Sequence, residues 1–424
     1  MNVLVIGNGG REHAVIQALK KSPKVDKIYA MKGNAGIGEL AELVDVDYCD
    51  AKAVGDWLDA HKDVGYTVVT PDDPLALGVV DELERRGHRA FGPNRRAAII
   101  EASKAFSKEL MKKYGIPTAK YEIFDEYEKA LAYIRNGAFP VVLKADGLAL
   151  GKGVLICRDL EEAEEGLKEI MLDKKFGAAG NKVVVEEFLE GPEVSVLAFT
   201  DGKTIIPMVT SCDHKRALDN DEGLNTGGMG TFSPAPFYGE KTERETMEKI
   251  MLPTIAAMNA EGRTFKGVLY FGLMKTKDGM KVIEYNSRFG DPETQVVLPM
   301  LKTDLMEIFE AVTDGRLSEI KVEWERGACV CVVLASGGYP LKYEKGKEIT
   351  IGALDGDVIL CHAGTKRKDG KLVTDGGRVL GVCAKGATIE EARQKAYRNV
   401  EKIHFEGMHY RKDIGIKYRD IPAE

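Results

Sequence analysis

The first hundred residues alternate short apolar runs with amphipathic ones, and no other feature constrains the fold as much. NVLVIG (2–7), KIYAM (27–31), YTVVT (66–70) and AFG (90–92) read as strands. Between them REHAVIQALKKS, AVGDWLDAHKD and PLALGVVDELERRG carry the helical period. Such an alternation closes as βαβ units around a mostly parallel sheet. Gly92-Pro93-Asn94 then punctuates the chain. At roughly 150 residues per domain, 424 residues make about three. The expected division is 1–103, 104–325 with a subdomain at about 120–190, and 326–424.

The second part opens on a helix, RRAAIIEASKAFSKELMKKYG, which stops at Gly115 with Pro117 just beyond. A compact αβ block follows: strands YEIF, FPVVLKAD, GVLICR and KVVVEEFL, with helices over EYEKALAYIRNG and LEEAEEGLKEIMLD. The middle then turns to antiparallel-looking strands, EVSVLAFTD, KTIIPMVTS, GVLYFGLMKT and MKVIEYN. From Arg326 the tail carries CVCVVLAS, EITIG and DVILCHAG before a helix over TIEEARQKAYRNVEKI, which reads as a separate α+β domain.

Composition narrows the function classes. With 60 Lys and Arg against 67 Asp and Glu, the net charge is −7. A nucleic-acid or membrane-surface binder would need a clustered basic face, so neither partner is expected. Hydrophobic residues at 44% and charged ones at 30% describe a soluble globular chain. No apolar run approaches the ~18 residues of a membrane span. The seven cysteines are odd in number and scattered, with no C-x-x-C pair, and Cys329 and Cys331 share one face of a strand. Reduced, buried thiols in a cytoplasmic protein are the expectation.

Five segments could carry chemistry. GNGGREH sits between a strand and a helix, but a dinucleotide fingerprint needs G-x-G-x-x-G and Glu12 holds the third glycine's place. The second strand ends in Ala30-Met31-Lys32, with no acid for a ribose, so NAD is disfavoured. Gly9 and Gly10 at a helix start still suit an anion, or form a tight turn without a ligand. In FPVVLKADGLALGKGV, Lys144 ends a buried strand ahead of Gly147, Gly151, Lys152 and Gly153. Glycines let backbone N–H groups approach phosphate, and the lysines supply charge. It is not a Walker A loop, and a hairpin with solvated lysines is the bland alternative.

KVIEYNSRFGDPE puts Glu284 and Asn286 on one strand face, a carboxylate and an amide suited to Mg²⁺, with Arg288 just beyond. Its alternative is a polar, solvent-facing edge. The long loop CDHKRALDNDEGLNTGGMGTFSPAP offers Asp213, His214, Lys215 and Arg216 to a substrate, although alone it reads as a surface loop. EEFLEGPEVSV reads as strand, turn and strand. Its free strand end could bond a base edge and Glu193 a ribose, but by itself it looks like a hairpin.

In this order, GNGGREHA, GPNRRAAIIEASKAFSKELMKKYGIPTA, LKADGLALGKGV, EEFLEGPEVSV, DHKRALDNDEGLNTGGMGTFSPAP and EYNSRFGDPETQ resemble the phosphoribosylamine–glycine ligase family of the ATP-grasp superfamily. The resemblance extends into the tail, where DGGRVLGVCAKG and YRKDIG also fit. TPDDPL at 70–75 departs from the family's usual Gly-Pro-Glu type turn. The implied fold is α/β and α+β multidomain: an ATP-grasp core, an N-terminal Rossmann-like (preATP-grasp) domain, a mobile lid and a C-terminal α+β domain.

The implied reaction phosphorylates glycine with ATP to glycyl phosphate, which the amine of 5-phosphoribosylamine attacks. The resemblance assigns Lys104 and Lys144 to the nucleotide phosphates, under a loop from Gly147 through Gly151 and Lys152 to Gly153. It assigns Glu187 and Leu189 to the adenine and Glu193 to the ribose. Glu284 and Asn286 would hold Mg²⁺ or Mn²⁺. Arg288 and Lys144 would assist phosphoryl transfer. Gly9, Gly10 and Arg11 would seat the substrate phosphate, with Asp213 and Lys215 near the reacting amine. A monomer is expected. The rivals are a biotin-carboxylase-like enzyme, which fits the first and last motifs less well, and a non-enzymatic nucleotide-binding protein.

Overall fold

The computed structural model describes residues 1–148 and 153–422. Its N-terminal part is a five-stranded sheet of wholly parallel strands in the order Glu42–Val44, Lys27–Lys32, Asn2–Gly7, Val64–Val69, Ala90–Phe91. NVLVIG is an almost unbroken apolar run, which suits a strand covered on both sides. Leu4 and Ile6 pack toward the helices Ala51–Ala60 and Val79–Arg85, while Val3 and Val5 join a core with the helix Leu305–Asp314 and the C-terminal sheet. The strand order reverses between Asn2–Gly7 and Val64–Val69. The crevice of a doubly wound sheet opens at such a point, beyond the strands' carboxyl ends. Arg11 and Asp72 lie just past those two ends.

Two antiparallel four-stranded sheets make the middle of the molecule. One runs Tyr121–Phe124, Val183–Glu187, Val141–Ala145, Val154–Cys157. The other runs Ile205–Pro207, Glu193–Thr200, Gly267–Thr276, Gly279–Asn286. The first sheet and its helices Tyr127–Arg135 and Leu160–Met171 have a core of their own, drawn wholly from residues 130–185. The second shares its core with the C-terminal sheet.

Several local expectations are corrected. EEFLEGPEVSV is not a hairpin: Val183–Glu187 and Glu193–Thr200 belong to different sheets, and the segment between them crosses from one to the other. Gly191 permits that crossing, since at φ +149° it passes against the Lys275 carbonyl, where a side chain would collide. The helix expected over 95–115 is two, Arg95–Ala102 and Lys104–Tyr114. Ser103 between them is extended, and its hydroxyl caps the second helix by accepting from Phe106 N. The helix expected over 74–87 breaks at Gly78, which is left-handed. The long loop after residue 211 is not a bare surface loop. It contributes Cys212–Asp213 and Gly230–Ser233 to the sheet formed by Ala328–Ala335, Arg378–Gly386 and Ile359–His362.

All seven cysteines are free, and six of them are buried. No helix among the described residues is long and apolar enough to cross a membrane. The seam between the N- and C-terminal parts holds two buried imidazoles. His13 Nδ1 accepts from His362 N at 2.7 Å, and Asn34 Nδ2 donates to the carbonyls of Asn8 and His362. Burial pushes His13 down to about 3 and His362 to about 4. Both are therefore neutral in the folded protein down to that range, whereas the unfolded chain protonates them near 6.5. The unfolded state binds more protons in this window, so stability falls as pH drops from about 6.5 toward 4, by up to ~1.4 kcal/mol per pH unit per histidine. Urea midpoints measured from pH 7 to 4.5 are expected to show this fall, and His13→Asn to make it shallower. Identical slopes in the two proteins would refute the assignment.

Candidate functional site

A large cleft, about 650 Å³, lies where the two antiparallel sheets, the N-terminal crevice and the C-terminal sheet meet. Its lining includes Lys104, Lys144, Gly147, Gly153, Glu187, Leu189, Glu193, Asp213, Lys215, Glu284, Asn286, Arg288 and Arg11. Residues separated by up to 277 positions in sequence are thus brought to one wall system. Gly151 and Lys152 lie outside the described residues.

The cationic end is built on the strand Val141–Ala145. Lys144 is buried, its ammonium donating to the Ile283 carbonyl at 3.0 Å. Glu186, from the neighbouring strand, sits between two buried lysines: Oε1 is 3.0 Å from Lys144 Nζ and Oε2 is 3.0 Å from Lys108 Nζ. The pair with Lys144 is an ion pair without hydrogen-bond alignment. Lys104, at the start of its helix, donates to the Gly147 carbonyl at 2.7 Å. Burial lowers its proton affinity, an effect that Glu284 opposes. Gly147 itself stands at φ +146° with Ala179 packed against it.

Opposite lies Glu284. Burial raises its pKa, but Lys215, Lys144, Lys104 and Arg288 together outweigh that and hold the carboxyl below its usual range. Lys215 Nζ is 3.7 Å from Glu284 and 3.6 Å from Glu193. Beside Glu284, the acceptors around Asn286 assign its amide orientation: turned with Nδ2 toward Glu101, it donates to Glu101 Oε1 at 2.9 Å and to the Tyr285 carbonyl at 3.2 Å. Glu101 also accepts from Ser287 N and Oγ, both at 2.8 Å, and pairs with Arg288 Nη2 at 2.8 Å. One buried carboxylate thereby positions three consecutive residues. Arg288 reaches Asp72 at 3.9 Å on its other side. Its Nε has no partner among the described residues, and neither has Asp213 Oδ1.

Among the described residues no cluster of three His, Cys, Asp or Glu could cage a metal. An ionised Glu284 next to the Asn286 amide fits a hard cation that takes its remaining oxygens from a bound phosphate and water, the usual habit of Mg²⁺.

The phosphate seat expected at Gly9 and Gly10 meets a physical obstacle. Glu12, in the place of the fingerprint's third glycine, folds back so that Gly9 N donates to its Oε2 at 2.6 Å. Arg11 N faces Asp291 Oδ2 at 3.3 Å. The helix start is thus met by the protein's own carboxylates, and of the three residues only the Arg11 side chain lines the cleft. Arg11 Nε bonds Glu12 Oε1 at 2.6 Å and its Nη1 donates to the Phe289 carbonyl at 3.2 Å.

The loop after 211 brings Asp213 and Lys215 inward. Burial and the nearby Glu293 raise the Asp213 pKa well above normal, while Lys215 and Arg378 pull the other way. Gly228 makes room for it: at φ +118°, a Cβ there would stand 2.5 Å from Pro292 Cδ and 2.8 Å from Asp213 Oδ1. Of the loop's other candidates, His214 is fully buried and faces the Gly230 carbonyl at 3.3 Å, away from any ligand role. Arg216 lines the cleft mouth and donates to the Gly223 carbonyl.

Sequence reading missed Glu101, Lys108, Glu186, Arg378 and the inward turn of Asp72. Glu186 had one signal, a carboxylate on the inward face of an otherwise valine-rich strand. Arg378 Nη1 donates to the carbonyls of Gly227 and Asp291, at 2.8 and 2.9 Å, tying the loop to the turn after Arg288.

Comparison with known proteins covers the whole chain. Family models described as the N domain, the ATP-grasp (A) domain and the C domain of phosphoribosylglycinamide synthetase match residues 1–101, 102–294 and 329–417. A phosphoribosylamine–glycine ligase of Caldanaerobacter subterraneus subsp. tengcongensis is 50% identical over 418 residues, covering 99% of this chain and 100% of the relative. A crystal structure of a Thermotoga maritima phosphoribosylamine–glycine ligase is 36% identical with a TM-score of 0.84, covering 97% of this chain and 100% of that one. A biotin carboxylase complex from Campylobacter jejuni is similar in fold alone, with a TM-score of 0.76 at 15% identity over 99% of this chain and 96% of that one.

Proposed function

Because the chain belongs to the phosphoribosylamine–glycine ligase family along its whole length and is on that footing an ATP-dependent carbon–nitrogen ligase of purine biosynthesis, we propose that this cleft joins glycine to 5-phosphoribosylamine through glycyl phosphate. The observation that carries the reading is the convergence of Lys144, Lys104 and Lys215 on Glu284, with Arg288 beyond it.

A carboxylate is a poor electrophile, and phosphorylation gives it a leaving group. Phosphoryl transfer asks the protein for positioning and charge neutralisation more than for covalent help. Lys104 and Lys144 hold the nucleotide phosphates. The crossing from Glu187 to Leu189 offers backbone groups to the adenine, and Glu193 takes the ribose. Glu284 and Asn286 hold Mg²⁺ or Mn²⁺, which when bound neutralises phosphate charge. Arg288, oriented by Glu101 and Asp72, stabilises the oxygens of the transferring group. Arg11 binds the phosphate of phosphoribosylamine. The amine sheds a proton as it attacks the acyl phosphate, and Asp213, with its raised proton affinity, is suited to accept it. Residues 120–190 act as a lid. Their closed apolar core lets them move as a body over the acyl phosphate and keep water from it.

ADP release from ATP and Mg²⁺ tests the reading. Turnover is expected only with glycine and 5-phosphoribosylamine together, at one ADP per glycinamide ribonucleotide. Turnover that accepts bicarbonate in place of glycine would overturn the substrate assignment while keeping the fold.

A further inference from the structure

The YRKDIG motif, residues 410–415, has no part in the reaction just described, yet it holds Arg411, the largest side chain buried to near completeness. Arg411 Nη1 donates to Asp221 Oδ1 at 3.0 Å and to the Arg216 carbonyl at 3.1 Å, and its Nη2 pairs with Asp413 at 2.6 Å. Asp413 in turn accepts from Asn220 N at 2.9 Å, and Lys412 N donates to Asp219 Oδ1 at 2.7 Å. Residues 409–418 are thereby strapped across the loop that carries Asp213 and Lys215.

The strap does not end there. Lys417 lines the cleft and pairs with Asp221 at 2.8 Å. Tyr418 stands edge-on to Phe237, their ring centroids 5.3 Å apart. Its hydroxyl oxygen accepts the backbone N–H of Glu193 at 3.1 Å. Tyr418 has φ +64°, a left-handed conformation that an aromatic residue adopts only when its surroundings fix it. Glu193 is the first residue of its strand after the crossing between the sheets, so its backbone is otherwise held only by the ladder on one side and by the Cys212 thiol, which donates to its carbonyl at 3.6 Å.

We propose that the C-terminal strap sets the ribose end of the nucleotide site, with Tyr418 as a positioning residue that acts through Glu193. The inference rests on the reading that Glu193 binds the ribose. It gives the end of the matched C domain, residues up to 417, and Tyr418 just beyond it a task in nucleotide selection.

The test compares ATP with 2′-deoxy-ATP and 3′-deoxy-ATP in wild type, Glu193→Gln and Tyr418→Phe, at saturating glycine and 5-phosphoribosylamine. Wild type is expected to favour ATP, and Glu193→Gln to lose that preference. Tyr418→Phe is expected to raise the KM for ATP about threefold to tenfold and to narrow the ratio between ATP and the deoxynucleotides. The KM for glycine should not move. General destabilisation would not alter a ratio between two nucleotides. A wild-type ratio in Tyr418→Phe, with the ratio lost in Glu193→Gln, overturns the strap's role alone. A wild-type ratio in Glu193→Gln overturns the ribose reading, and the strap's role with it. Tyr418→Leu deletes the same hydroxyl in a second way should the phenylalanine variant fold poorly.

Discussion

Replacing Glu284 with alanine is expected to lower kcat by about a thousandfold or more, ~4 kcal/mol of transition-state stabilisation, with the fold intact. The side chain is 29% exposed, faces the cleft and anchors no strand pairing, so its removal opens no buried cavity. What it removes is the carboxylate that Lys215, Lys144, Lys104 and Arg288 together hold ionised against its burial. Two binding measurements separate metal loss from general damage. Metal-free ATP should bind the variant at least as tightly as wild type, because a negative charge facing the phosphates is gone. The gain in ATP affinity that Mg²⁺ or Mn²⁺ gives wild type should shrink. Wild-type-like turnover in a folded Glu284→Ala protein would end the assignment of Glu284 as the metal ligand.

The sequence made the elements legible where one physical rule governed them. The unbroken apolar run of NVLVIG marks a strand buried on both faces, and Gly147 after Lys144 marks a turn, at φ +146°. The face shared by Glu284 and Asn286 follows from strand geometry. What stayed hidden depends on partners far away in the chain. Glu101 lies 186 residues from Ser287, which it holds. Nothing local distinguishes it from an ordinary acid near a helix end. EEFLEGPEVSV reads as a hairpin because strand, turn and strand are local, while the choice of sheet for each strand is tertiary. Ser103 was legible in principle as a helix cap, but the helix formers on either side of it mask the break. Glu12 shows the converse: its departure from the dinucleotide fingerprint was visible, but only the folded turn shows it accepting from Gly9 N.

Glu186→Ala should be the most destabilising substitution in the cleft, at ~3–5 kcal/mol, and should abolish turnover along with it. The reason is charge arithmetic in a buried place. Lys108, Glu186 and Lys144 are all nearly inaccessible to solvent, and the triad carries two positive charges and one negative. Burial pushes Lys108 down to about 8 even with Glu186 beside it, so one carboxylate does not fully offset both ammoniums. Removing Glu186 leaves two cations facing each other without a counter-ion and unfastens the lysine proposed to hold the phosphates. Removing a lysine instead leaves a balanced pair. Lys108→Met, which keeps the volume and loses the ion pair with Glu186 Oε2 and the bond to Thr118 Oγ1, should therefore cost far less stability than Glu186→Ala, although each variant deletes one charged group. Urea unfolding of the two proteins at pH 7 decides the matter. Equal losses would mean that packing, not charge balance, sets the stability of this wall. A milder Lys108→Met would instead mean that charge balance sets it, with Glu186 needed as the counter-ion of Lys144.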